Sequence, residues 1–287
     1  MSLILALLLQ VGPNPLAGGM AGDDLVRDRP ARPVNPMVEV NASSAWLESC
    51  LAQLDEDPAR AHSTAQIRRS ETKGTDRVLA NHCLGMASSQ LGLWVDAREA
   101  FIAARDETPA DETRTRARFG ALAGNAALAG GDGESALGLL SRAEADARAA
   151  GSAPLAAVAA TDRARALVAL RQEAEALAAL EAATTLAPEL SEGWVLKATL
   201  LRRLDRLDEA QTAIERAASL APANPDIGLE AGVIAILDSR DDAARASWLS
   251  VIDLAPESPA AATARGYLAQ LAPTGDTASP QEETPQP

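Results

Sequence analysis

From residue 42 to residue 271 apolar residues return every three to four positions, the period of a helix with one buried stripe. The clearest stretch is Ser191–Pro222, SEGWVLKATLLRRLDRLDEAQTAIERAASLAP. Trp194 and Ala198 lie four apart on a first predicted helix, and Ala210, Ile214 and Ala217 share one face of a second. Pro222 ends the second helix, because proline has no N–H to give to a continuing helix. Two helices joined by a short turn cannot bury both apolar stripes against each other, so the pair needs neighbours.

Those neighbours are written in the chain. A shift of 34 residues from the 191–222 unit gives Gly228, Gly232, Ala244, Trp248, Val251 and Pro256; a shift back gives Ala160, Ala164, Ala176, Leu180, Ala183 and Pro188. An earlier unit has Leu84, Gly85, Ala97, Phe101, Ala104 and Pro109. Another has Gly124, Ala136, Leu140 and Ala143, with Arg148 where the closing proline would stand. Ala97, Ala136, Ala176, Ala210 and Ala244 are spaced 39, 40, 34 and 34 apart, so longer helices are expected around 111–150. The small residues at 85, 124, 164, 198 and 232 read as close crossings of the two helices of a unit. Phe101, Leu140, Leu180, Ile214 and Trp248 read as fillers between units. Residues 43–54 and 58–70 form an irregular pair, with Asp57-Pro58 a helix start. Residues 258–271 form a lone helix capped by Ser258, and both ends therefore read as caps of the array.

This grammar resembles the tetratricopeptide repeat family, whose 34-residue signature is W-x2-L-G-x2-Y, then A-x3-F, then P. Leu84-Gly85, Ala97, Phe101, Ala104 and Pro109 carry it most faithfully. Asn81 and Ser88 stand where the family prefers aromatics, and Trp94 takes the aromatic site near the start of the second helix. The resemblance implies an all-α fold, a right-handed superhelix of helical hairpins (an α-solenoid), and a protein–protein interaction scaffold. It also implies a concave groove lined by the first helix of each unit. Its positions are Leu79, His82, Met86 and Gln90, then Arg118 and Asn125, then Thr161 and Arg165, and last Glu192, Thr199, Arg202 and Arg203. The four arginines are expected to form a positive strip for an acidic or C-terminal carboxylate segment of a partner. The family's Lys and Asn pattern for clamping a carboxylate is not reproduced, so that chaperone-tail activity is not implied.

Composition narrows the partners. Ala and unbranched side chains dominate and aromatics are 2%, which favours helices. The net charge of −14 argues against duplex DNA and anionic membrane, which need clustered Lys and Arg. Cys50 and Cys83 lie 33 apart on predicted first helices of adjacent units. They form a disulfide in an oxidising compartment or stay two buried thiols, and the spacing leaves both open. His82 points about 100° away from Cys83 and is no base for it. Asp238, Asp241 and Asp242 lack the spacing of a calcium loop, and Gly130-Gly131-Asp132-Gly133 reads as a turn rather than a phosphate loop. No set of nucleophile, base and orienting group is present, so neither catalysis nor a metal or other cofactor is expected.

The ends differ from the array. Residues 1–21 read as a secretory signal peptide: Leu3–Val11 is apolar, too short to span a bilayer, and Gly19-Met20-Ala21 supplies small residues for cleavage. No Lys or Arg precedes the apolar run, which leaves an ordinary apolar N-terminus or a misplaced start open. Residues 22–41 read as a linker, 42–271 as the repeat domain, and 272–287 as a disordered Pro/Thr/Glu-rich tail. The expected function is a scaffold that binds a protein or peptide in the periplasm, with the cytoplasm as the alternative place. The alternative function is a structural subunit of an envelope assembly or a homo-oligomer, using the apolar Leu229, Val233, Ile236 and Leu237. No nucleic acid and no stable membrane span are expected.

Overall fold

Helical hairpins follow one another along the computed structural model, which describes residues 42–271. The leader, the linker and the tail read from residues 1–41 and 272–287 lie outside the described residues. Six hairpins pair α1 (Ala42–Glu56) with α2 (Pro58–Glu71), α3 (Thr75–Gln90) with α4 (Trp94–Glu107), and α5 (Thr113–Ala129) with α6 (Gly133–Ala149). They continue with α7 (Ala153–Ala169) and α8 (Glu173–Leu186), α9 (Ser191–Arg203) and α10 (Leu207–Leu220), and α11 (Pro225–Leu237) and α12 (Asp241–Leu254). A single helix, α13 (Pro259–Leu271), follows, and there is no strand among the described residues. The fold is an all-α solenoid.

The chain forms two compact units. The first holds the described residues through Thr108 together with Ala126–Asp132; the second holds Pro109–Asn125 and the described residues from Gly133 onward. Within the first, α1 packs on both α2 and α3, and α3 packs on α4. Within the second, each helix from α6 packs on the next, first helices also meet first helices (α7 on α9, α9 on α11), and α13 closes over α11 and α12.

One turn is used five times. Gly92, Gly131, Arg171, Asp205 and Ser239 all have positive φ, from 58° to 81°, and each stands seven residues after a small residue of the first helix. In each hairpin the N–H of the following residue reaches back over the helix end: Leu93 to Ser88, Asp132 to Ala127, Gln172 to Leu167, Arg206 to Leu201 and Arg240 to Ala235, at 2.8–2.9 Å. The left-handed residue lets the chain reverse while satisfying carbonyls that the helix leaves unpaired. The same device explains the missing proline of the α5–α6 hairpin. Gly151, at φ 64°, ends α6, and Ser152 N–H donates to Ala147 O at 3.0 Å, so no proline is needed there.

At Gly85, Gly124 and Gly232 the small residues mark close crossings, and the structure corrects the role of the large ones. A Cβ added at Gly85 would lie 2.5 Å from the Phe101 ring, one at Gly124 would lie 2.5 Å from Leu140 Cγ, and one at Gly232 would overlap the Trp248 indole. Phe101, Leu140 and Trp248 therefore fill their own hairpins, over the small residue sixteen positions earlier, and not only the space between units. Filling such a contact with a methyl group costs about 1–3 kcal/mol. The long alanine intervals appear as helices of 17 residues in α5, α6 and α7, against 14 in α4, α8, α10 and α12. Asp57 caps α2 by accepting from Arg60 N–H at 3.0 Å, and Ser258 Oγ accepts from Ala261 N–H at 3.0 Å. Asn81 and Ser88 are fully buried on α3 at the family's aromatic positions, and their side chains find no protein hydrogen-bond partner.

Candidate functional site

In the second unit the first helices are joined by a polar ladder. Asn125 on α5 donates its side-chain N–H to Asp162 Oδ2 on α7 at 2.9 Å. Arg165, one turn beyond Asp162, donates to Asp162 Oδ1 with one arm of its guanidinium and to Glu192 on α9 with the other. The ladder continues where Arg202 Nε on α9 donates to Glu230 Oε1 on α11 at 2.7 Å. Arg203 faces Glu173 at 3.8 Å. Three successive first helices thus share one network whose members are held by their neighbours, and a fourth is joined by an ion pair from α9.

Asp162 is the buried member, at 5% exposure. Burial pushes its carboxyl above the usual aspartate range, against the Arg165 charge and the Asn125 hydrogen bond, which favour the ionised form. A second buried carboxylate, Glu144 on α6, accepts from Arg148 on its own helix and from Arg163 on α7, at 2.7 and 2.9 Å.

The expected groove positions divide. Asn125, Arg165 and Glu192 are brought together, Thr199 and Arg202 are half-buried, and Arg118 is exposed with no ion pair among the described residues. Thr161 is not a groove residue: it is 4% exposed, and its hydroxyl donates to Ala157 O at 2.9 Å. The positive strip is also corrected. Arg165, Arg202 and Arg203 each meet a carboxylate of the same or an adjacent unit, so this face is charge-balanced. In the first unit Leu79, His82 and Met86 are half-buried and Gln90 is exposed; Met86 packs against the buried cluster that includes Cys50 and Leu54 of α1. Burial lowers the His82 pKa, favouring the neutral imidazole.

Asp162, Glu230 and the 38%-exposed Val158 were not among the expected residues. Of these only Glu230 carried a signal: Arg202 to Glu230 is a separation of 28 and Arg165 to Glu192 one of 27, one repeat less about two helical turns. Cys50 and Cys83, both buried, are joined by a disulfide between α1 and α3, with Cα atoms 6.3 Å apart. On α11, Leu229, Val233 and Ile236 pack into a cluster with Tyr267, Leu268 and Leu271 of α13, while Leu237 stays 54% exposed. Among the described residues no group of three or more His, Cys, Asp or Glu could hold a metal ion, and no helix is long and apolar enough to cross a membrane.

The tetratricopeptide repeat model matches residues 191–224, the α9–α10 hairpin and the turn after it. No curated protein matches the chain. Solved structures with a similar fold include pilF of Pseudomonas aeruginosa, at 16% identity and TM-score 0.59 over 79% of this chain and 97% of that one. Another is PilW, described as a widely conserved type IV pilus biogenesis factor, at 16% identity and TM-score 0.61 over 77% and 97%. A thermophilic tetratricopeptide repeat protein of Thermus thermophilus matches at 20% identity and TM-score 0.53 over 67% and 97%. At these identities the likeness concerns the fold. One tetratricopeptide repeat is matched in sequence, at residues 191–224, within a solenoid in which five hairpins share the same turn and three of them the same glycine-under-large-residue crossing.

Proposed function

We propose that the chain is a protein-interaction scaffold that docks a segment of a partner protein on the first-helix face of its second unit, chiefly on α5, α7 and α9. The observation that carries this reading is the ladder from Asn125 through Asp162 and Arg165 to Glu192. Side chains locked to their neighbours lose little rotamer freedom when a partner arrives, so the face is preorganised. Arg118 and Val158, at equivalent positions of α5 and α7, are the exposed groups a partner would meet first. A balanced face suits a segment carrying both charges and apolar contacts better than a purely acidic tail.

An oxidising compartment fits this role, because a buried structural disulfide such as Cys50–Cys83 persists outside reducing cytosol. Fold likeness to a type IV pilus biogenesis factor is compatible with a place in the cell envelope. The test is site-specific photocrosslinking in cells. A photoreactive side chain at position 118 or 158 is expected to capture a discrete partner, one at the exposed Ala174 of α8 is not, and Arg165→Glu is expected to abolish the capture. Equal capture at position 174, or capture indifferent to Arg165→Glu, overturns the reading.

A further inference from the structure

The chain has 26 basic and 40 acidic residues, yet Arg68, Arg69, Lys73 and Arg77 all fall within residues 66–77, against only Glu71 and Asp76. That segment carries +2, four positive less two negative, in a chain of −14. It forms the corner where α2 passes into α3, and the first unit has a notch of about 400 Å³ there. Gln66, Arg69, Ser70, Arg77 and Glu107 line it.

The cations of this corner are not equivalent. Arg68 is 4.8 Å from the Trp46 ring and 3.7 Å from Asp76, so it belongs to the fold. Arg77 Nε donates to Glu107 Oε2 at 2.6 Å, which fixes the guanidinium while committing one of its five N–H donors. Arg69 and Gln66 are exposed, with no ion pair or hydrogen bond among the described residues. Ser70 gives its hydroxyl proton to Ile67 O at 2.7 Å. A free guanidinium and a free amide beside a positioned guanidinium present planar forks of N–H donors, the arrangement that takes carboxylates in pairs of bonds.

The chain also holds a segment of the complementary chemistry. Residues 272–287, APTGDTASPQEETPQP, carry Asp276, Glu282 and Glu283 and no Lys, Arg or His. We propose that the α2–α3 corner is a carboxylate-binding notch whose occupant is this acidic segment of a second copy of the chain. Arg69 and Gln66 receive the carboxylates, and Glu107 holds Arg77 in place and limits the site to a modest positive charge. Such a contact is exposed, so it weakens as salt shortens the range of the attraction.

Lys73 and Lys197 are the chain's only lysines, and Lys73 lies in the turn between Ser70 and Arg77, which makes the corner addressable. Zero-length carbodiimide coupling of the full chain, followed by peptide mass spectrometry, is expected to join Lys73 to Asp276, Glu282 or Glu283. The yield is expected to fall about tenfold in Arg69→Glu and in 0.5 M salt, an effect of the size of one lost charged contact (~1.4 kcal/mol). Arg69 is exposed, so the variant keeps its helical circular dichroism, and Arg69→Gln is expected to give an intermediate loss. Mixing isotopically light and heavy chains is expected to give light–heavy products, and like-labelled products alone overturn the proposal. Coupling of Lys73 only to Glu71, Asp76 or Glu107 overturns the proposal. Tail coupling at Lys197 equal to that at Lys73, or a yield unchanged in Arg69→Glu, overturns it too.

Discussion

Asp162 shows how one side chain sets a property that the surrounding surface does not. Its carboxyl lies among α5 and α7 atoms, and burial raises its pKa above the unfolded value near the ordinary aspartate range, despite Arg165 and Asn125. At a pH below both values the folded and unfolded chains carry the same proton. As the pH climbs, the unfolded chain gives up that proton first while the fold still holds it, so Asp162 makes stability fall with rising pH until the folded group has ionised. In Asp162→Asn this slope is gone. Urea unfolding between about pH 4 and pH 7 at constant salt is expected to show the variant gaining on the wild type as pH rises. A parallel pair of curves would mean that the buried carboxyl titrates as it does in the unfolded chain. Helical spacing pointed to Asn125, Thr161 and Arg165 but not to Asp162 beside them, because a stripe read at 100° per residue places position 162 on the flank. The structure exchanges the roles: Thr161 turns inward to its own helix's carbonyl, and Asp162 reaches the neighbouring one.

Among the elements, the hairpin turn was half legible. Gly92 and Gly131 announce a left-handed residue, since only glycine enters that region without crowding its Cβ. Arg171, Asp205 and Ser239 hide the same turn, because there the packing of two helices sets the backbone and overrides the residue's own preference. The α1–α3 pairing was legible only as a choice between bonded and free thiols, for sequence spacing cannot place two Cα atoms 6.3 Å apart. The bond closes a loop of 33 residues, and on the chain-entropy model a loop of that length contributes about 3–4 kcal/mol. Helix α1 otherwise rests on Trp46, Leu47, Leu51 and Leu54 against α2 and α3. Reduction is therefore expected to raise hydrogen exchange strongly in α1 and measurably in α2, and to leave α11–α13 as they were. Exchange in α1 that ignores the reductant would show that its apolar contacts alone hold the cap.

At the scale of the molecule the fold could be read because one contact recurs: a small residue, a large residue sixteen places on, and a period near 34 make five faint patterns into one strong one. The site could not be read the same way, because its ion pairs join each unit to the next at separations of 27 and 28 and do not repeat at the period. The same nearest-neighbour construction governs stability, since a repeat gains contacts only from the repeats beside it. Trp248 is the heaviest of these joints. Its indole fills the space left by Gly232, its Nε1 donates to Leu229 O at 3.2 Å, and its ring lies 5.0 Å from that of Tyr267, so one side chain ties α11, α12 and α13. Trp248→Ala is expected to cost about 3–5 kcal/mol locally. In a chain of neighbour contacts that loss opens α11–α13 well before α7 and α8, so native-state hydrogen exchange should lose protection at that end while α7 keeps it. Equal loss of protection from α7 through α13 would instead mean that the second unit unfolds as a single block, with its ladder of ion pairs and shared alanine core coupling every hairpin to the last.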